Sequence, residues 1–238
     1  MEKERLNKYL ASCGLCSRRE ADRLIEQGRV VVNGKTAETG MQVKEDDKIT
    51  VNGKPLHGKD KKVVLAYYKP VGVTCTEKDR FADKKITDMV KFPVRVTYAG
   101  RLDKDSEGLM LLTNDGALIQ SLMKGSQGHE KEYLVKVNRE VTEDFIRKME
   151  AGVYLSELDI TTKPCKVEKN GRYQFKIILT QGVNRQIKRM TMELGLRVIS
   201  IKRTRIANIC LKGLKNGEYR QLTKEEARVL YNLCDEIK

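Results

Sequence analysis

Apolar positions recur along this chain with two different periods, and the switches between them mark its elements. "RLNKYLASCG" sets Leu6, Tyr9 and Leu10 on one face and predicts a short helix. "SRREADRLIEQG" predicts a second helix, with Ser17 as N-cap, Glu20 completing a capping box and Gly28 as the stop. "RVVVNGK" reads as a short strand closed by an Asn-Gly turn, and "DKITVNGK" repeats that signature. Two helices and a few strands predict a small α+β module over residues 1–53.

"GKPLHGKDKK" is polar and carries Gly and Pro, so residues 54–62 read as a linker. From Val63 to Lys238 strand-like runs take over: "KVVLAYYKP", "GLMLLT", "KEYLVKV", "YQFKIILT" and "RVISIKRTRI". Helical patterns fall between or after them: "DGALIQSLMKG", "TEDFIRKMEAG", "NRQIKRMTMELG" and "TKEEARVLYNL". The last opens on a second capping box, Thr223 with Glu226. The second module is therefore expected to be α+β as well, a mixed and mainly antiparallel sheet flanked by helices.

Charge changes the picture most. The 238 residues carry a net charge of +14, with 34% charged residues and 39% hydrophobic ones, enough for a real core. Such a surplus favours a polyanionic partner, nucleic acid before membrane. No apolar run reaches the roughly 18–20 residues that cross a bilayer, and "MEKERLNKYL" lacks a secretory apolar stretch. A cytoplasmic protein is expected.

The charge is also clustered. Residues 181–220 hold ten basic and two acidic side chains. Helical spacing places Arg185, Lys188 and Arg189 within one turn, and strand alternation sends Arg203 and Arg205 to one side. The first module repeats the pattern with Arg5, Lys8, Arg18, Arg19, Arg29 and Lys35. A solvated face usually mixes both signs, and this one does not. Two basic surfaces on two modules point to RNA held at more than one place, with affinity raised through effective concentration.

Several chemistries lack their residues. Six scattered cysteines in a cytosolic chain are expected to be free thiols. The single C-x-x-C at Cys13 and Cys16 has no second pair, and only His57 and His129 exist to complete a zinc site. Asp103, Asp105 and Glu107 could gather carboxylates for a metal, but no further ligand group accompanies them. Glycine loops for phosphates or dinucleotides are missing, and "SLMK" at 121–124 stands without its companion motifs. Neither metal nor cofactor is expected.

That leaves "AGRLDKDSEGLMLLTNDG", residues 99–116, where Asp103 sits just ahead of a strand. By itself Asp103 is either a turn carboxylate paired with Arg101 or a reactive acid. The stretch resembles the catalytic motif of the RsuA-type ribosomal RNA pseudouridine synthases, G-R-L-D followed by S-x-G-L-x-x-L-T-N-D-G. "EKEYLVKV" at 130–137 resembles the second motif of that family, and "QGVNRQIKRM" at 181–190 the third. Residues 5–35 are similar to the small S-four-type RNA-binding module that precedes many members. "HEKEYLV" and "RTRIANICLKGLKNGEYRQLT" look closest to the RluF-like branch, which acts on large-subunit RNA.

The resemblance implies a pseudouridine synthase fold, an isomerase activity and no cofactor. Isomerising uridine breaks a nitrogen–carbon glycosidic bond, turns the base over and rejoins it through carbon, so no atom enters or leaves. It needs one carboxylate near the ribose anomeric carbon. By resemblance that carboxylate is Asp103, Tyr133 stacks on the target base, and Lys188 is the third-motif cation that keeps the acid ionised; many relatives carry Arg there. Arg101 becomes a candidate for holding the backbone of a flipped-out nucleotide on a structured stem-loop, with the protein working as a monomer. Read without the resemblance, Tyr133 is simply a half-buried strand aromatic. Two other functions are weighed: a non-catalytic ribosomal RNA-binding or ribosome-assembly factor on the same scaffold, and a carboxylate-pair glycosidase using Asp103 with Asp105 or Glu107, disfavoured because the chain has no Trp to make a sugar platform.

Overall fold

The computed structural model describes residues 3–76, 84–124 and 128–235. Its contacts divide the chain into two units: Met1–Val63 with Phe92–Val96 and Asn114–Gly116, and Val64–Lys91 with Thr97–Thr113 and Ala117–Lys238.

The first unit runs β1 (Glu4–Arg5), α1 (Leu6–Ser12), α2 (Arg18–Glu26), β2 (Val30–Val32), β3 (Lys35–Thr36), β4 (Gln42–Val43), β5 (Ile49–Val51) and β6 (Lys54–Pro55). Ser17 caps α2, its hydroxyl accepting the Glu20 N–H at 3.2 Å. The carboxylate of Glu20 turns to Arg23 instead of back to Ser17, so only this half of the expected box is seen. Both Asn-Gly pairs take the positive φ that a two-residue hairpin turn needs, 49° and 82° at Asn33-Gly34, 51° and 75° at Asn52-Gly53. They close β2 on β3 and β5 on β6 in a sheet ordered β3-β2-β5-β6. Leu6, Tyr9 and Leu10 of α1 pack with Ala21, Leu24 and Ile25 of α2 over Val30, Val32 and Val51. The stretch read as linker starts inside this sheet, since Lys54 and Pro55 pair with Val51 and Thr50. Lys59 returns to Glu4 as an ion pair.

The rest of the chain adds β7 (Val64–Lys69), α3 (Ile86–Met89), β8 (Thr97–Tyr98), β9 (Glu107–Thr113), α4 (Gly116–Met123), β10 (Lys131–Val137), α5 (Glu143–Ala151), β11 (Tyr154–Leu155), β12 (Ile160–Thr161), β13 (Lys166–Lys169), β14 (Gln174–Leu179), α6 (Gln186–Glu193), β15 (Val198–Ile206), β16 (Ile209–Cys210), β17 (Tyr219–Gln221) and α7 (Lys224–Asp235). The five strand-like runs and four helical patterns of this half are all present. The extra strands are two to four residues long, too short to leave a period in the sequence.

The main sheet runs β13-β14-β10-β15-β9-β7-β17. Its pairs are antiparallel except β15 with β9, which run parallel over just Lys202↔Glu107 and Arg203↔Gly108. Mixed and mainly antiparallel, it matches the α+β expectation. That brief parallel contact joins two half-sheets with separate cores. One gathers Leu109, Leu111, Leu118, Leu122 and Leu230, and the other gathers Val135, Phe145, Phe175, Ile187 and Met190. At the start of α7 the second capping box is complete: Glu226 N–H donates to Thr223 Oγ1 at 3.1 Å and Thr223 N–H to Glu226 Oε2 at 2.9 Å. Among the described residues no helix is long and apolar enough to cross a membrane.

Candidate active site

Asp103 lies in the turn that leads into β9, and the backbone around it is fastened from below at three points. The Cys75 Sγ–H donates to the Leu102 carbonyl at 3.3 Å. Gly72 N–H donates to the Lys104 carbonyl at 2.7 Å. Lys69 Nζ donates to the carbonyls of Ser106, at 2.7 Å, and Pro70, at 2.8 Å. The turn itself closes through Ser106 N–H on the Asp103 carbonyl, 3.1 Å. These bonds fix the backbone from which the Asp103 side chain projects.

Lys69 is the residue that sequence reasoning missed. It is 0% exposed at the end of β7, a strand buried along its whole length. Burial pushes its ammonium down to about 8. The signal was a single lysine ending the apolar run "VVLAYYK".

Above the turn opens a cleft of about 500 Å³, lined by Asp103, Tyr133, Lys188, Arg101, Arg185 and Arg203 among others. The three residues singled out as catalytic candidates therefore share one cavity. Each comes from a different element: the turn before β9, the middle of β10, and the first turns of α6. Lys188 Nζ is 3.4 Å from Asp103 Oδ2 and 2.5 Å from Asp105 Oδ2, so two carboxylates share one ammonium. The sequence offered Asp105 as a weak metal ligand or as half of a disfavoured glycosidase pair; here it holds the cation more closely than Asp103 does. Burial raises the Asp105 carboxyl, but the bonded Lys188 outweighs that and keeps it below the ordinary value. Among the described residues no cluster of three or more metal-ligating side chains forms.

Tyr133 faces the cleft with Arg203 behind it, the guanidinium carbon 6.0 Å from the ring centroid, at the edge of cation–π range. Arg203 is 2% exposed; its Nε donates to the Leu109 carbonyl at 2.7 Å. Lys131, also on the cleft wall, is lowered chiefly by burial and then by Arg203.

Two of the positional expectations for the basic residues are corrected here. Arg203 and Arg205 do not share a face. Tyr133 is opposite Arg203 but Glu132 is opposite Arg205, so Thr204 is an extra residue in β15, a β-bulge that breaks the alternation. Arg203 thus turns into the cleft, whereas Arg205 pairs with Glu130 at 2.8 Å and Glu132 at 3.7 Å. Nor do Arg185, Lys188 and Arg189 form one helical face. Arg185 precedes α6 with a left-handed φ of 52°, and Arg189 turns to Glu157 and to the Asn184 carbonyl. Arg185 stays exposed on the rim of the cleft, as does Arg101. A non-glycine residue in that conformation costs on the order of 1 kcal/mol and tends to mark functional loops.

On the first unit Arg5, Lys8, Arg18, Arg19, Arg29 and Lys35 are all exposed. Lys8 pairs with Glu4 at 3.6 Å, and Arg29 Nε donates to Asn52 Oδ1 at 2.5 Å. Arg18 and Arg19 occupy the first turn of α2, where the helix dipole disfavours cations. Helix stability does not explain them.

Known proteins share both parts of this arrangement. The family model described as RNA pseudouridylate synthase matches residues 63–193, and the S4 domain model matches residues 4–49. The chain is 48% identical over 233 residues to the dual-specificity RNA pseudouridine synthase RluF of Escherichia coli K12, covering 97% of this chain and 79% of that one. It is 37% identical over 241 residues to the ribosomal large subunit pseudouridine synthase B of Bacillus subtilis, covering 99% and 98%. A crystal structure of a pseudouridylate synthase superposes with a TM-score of 0.71 at 31% identity, over 95% of this chain and 99% of that one. With the motif turn, the shared cleft and an S4-matching front in place, the chain belongs to the RNA pseudouridine synthase family, isomerases that act on RNA.

Proposed function

We propose that this chain converts uridine to pseudouridine in ribosomal RNA of the large subunit, as a single chain in the cytoplasm, with Asp103 as the catalytic carboxylate. The observation that carries the reading is the placement of Asp103, Tyr133 and Lys188 on one cleft, with the Lys188 ammonium 3.4 Å from Asp103. Two relatives, a dual-specificity RNA pseudouridine synthase and a large-subunit synthase, support the choice of RNA.

The reaction needs the target nucleotide out of its stack so that its glycosidic bond can reach Asp103, at a cost of a few kcal/mol. Arg101 and Arg185 on the rim are placed to hold phosphates and offset that cost. Asp103 then either attacks C1′ or removes a ribose proton; both routes break the bond from C1′ to N1. The freed uracil turns over and C5 bonds to C1′, displacing the Asp103 carboxylate in the first route, or with the ribose proton returned by Asp103 in the second; the proton on C5 then leaves and N1 takes up a proton. Tyr133 offers a ring for the base and a phenol for that proton traffic. Lys188 steadies the ionised Asp103. Through its exposed basic residues the first unit grips structured RNA.

The test is Asp103→Asn, assayed by carbodiimide labelling of ribosomal RNA. Retained RNA binding with no new pseudouridine is expected. Near-normal conversion by the variant would overturn the assignment. A wild-type protein that binds the RNA and never modifies it would instead make this a binding factor.

A further inference from the structure

Beside the catalytic cleft lies a second groove of about 720 Å³, and its charges are left unanswered by the protein. Its walls carry Arg139, Arg185, Lys188 and Arg197, against a single acid, Asp105. That acid is already held by Lys188 at 2.5 Å. Among the described residues, no carboxylate pairs with Arg139, Arg185 or Arg197, and all three are exposed. Other arginines of the same unit do have acids: Arg172 has Glu140, Arg205 has Glu130 and Arg220 has Glu226. Unbalanced cations gathered in a concave surface attract a polyanion far more than they stabilise a fold.

The groove is also built to hold its arginines still. Asn138 N–H donates to the Arg197 carbonyl at 3.0 Å, and Arg197 N–H donates to Asn138 Oδ1 at 2.7 Å. These two bonds staple the end of β10 to the lead-in of β15 and hold the backbone of Arg139 beside that of Arg197. Met192 of α6, 60% exposed, adds an apolar ledge to this basic groove. Arg185 and Lys188 line both this groove and the cleft, so the two are continuous.

We propose that this groove is the track for the RNA strand that continues from the target nucleotide, with Arg139 and Arg197 contacting successive phosphates, Arg185 at the junction with the cleft, and Met192 against a base or sugar face. The inference rests on the reading of the chain as an RNA-modifying enzyme and names where its substrate runs. The contact is to backbone, so it raises affinity for any sequence and carries no base preference.

The test is the double variant Arg139→Gln/Arg197→Gln, alongside Arg139→Lys/Arg197→Lys, neither residue being part of the catalytic set. Binding of a stem-loop of about twenty nucleotides is followed by fluorescence anisotropy across a salt series, and pseudouridine formation on the same RNA is timed. Losing two single-strand phosphate contacts lowers the slope of log affinity against log salt by about 1.4. The Gln variant is expected to show that change and a KM about tenfold higher with kcat within twofold, while the Lys variant stays near wild type. A Gln variant with unchanged salt slope and KM overturns the proposal. The two readings fail separately. An inactive wild type counts against the enzyme assignment, whereas the salt slopes of wild type and variant still decide the groove.

Discussion

Gly108 and Arg203 meet backbone to backbone where the two half-sheets join. A Cβ on Gly108 would lie 2.3 Å from the Arg203 carbonyl oxygen and 2.5 Å from its nitrogen, and the Gly108 φ is +119°. The glycine in "SEGLMLLT" is thus what lets β9 run beside β15, and with it what brings the Asp103 turn to the strand carrying Arg203. Gly108→Ala should destabilise the protein by about 3 kcal/mol or more, since rigid backbone on both sides blocks relief. Urea unfolding against wild type checks it; a change under 1 kcal/mol would show that the strands can separate cheaply.

Asp105 and Asp103 compete for Lys188. Replacing Lys188 with Met removes the ammonium that stands beside both carboxylates, whereas replacing Asp105 with Asn leaves that ammonium to Asp103 alone. Lys188→Met should therefore lower kcat by about tenfold or more, and Asp105→Asn should change it far less. A Lys188→Met variant with wild-type kcat on the same RNA would mean that Lys188 does not act through Asp103.

Lys69 is buried and its pKa falls to about 8, while in the unfolded chain it returns to its ordinary 10.5. Between those values the unfolded state binds more protons, so stability rises with pH across the window from 8 to 10.5. Lys69→Met should lose that rise and, at pH 7, leave the Ser106 and Pro70 carbonyls unpaired at a cost of about 1–3 kcal/mol. Unfolding curves at pH 7, 8, 9 and 10 measure both effects.

Glu226 has the opposite sign. Its carboxylate takes both Arg220 nitrogens at 2.7 Å and the Thr223 N–H at 2.9 Å, and the Arg220 bonds in particular bring it from 4.5 to about 2. A depressed acid stabilises the fold fully above its unfolded value and loses that contribution as pH falls from 4.5 towards 2. The pair is partly solvated, which reduces the effect to about 1 kcal/mol. Glu226→Gln should be less stable than wild type by about that amount at pH 7, with the gap closing by pH 2–3. A gap that persists at low pH would assign the loss to packing instead of charge.

How far this chain could be read from its sequence follows the range of each interaction. Ser17, Thr223 and the two Asn-Gly turns act over three or four residues, and they were legible because their partners stand next to them. The long strands were legible through their apolar runs. The catalytic candidates were legible through a resemblance that names residue types in order along the chain. Asp105 was overlooked because its part depends on a lysine 83 positions away. Lys69 looked like the end of a strand until Ser106, 37 positions on, arrived above it.

What the sequence alone determined was the longer strands and helices, the Ser17 and Thr223 caps, the Asn-Gly turns, the basic character and the three candidate side chains. Tertiary structure decided which side chains meet. One inserted residue at Thr204 reverses the face of everything beyond it, because strand side chains alternate with period two, so Arg203 faces the cleft and Arg205 does not. The position of the β15–β9 contact then sets where the cleft opens. Register and bulges are settled by pairing between distant segments, and a linear pattern carries no record of that pairing.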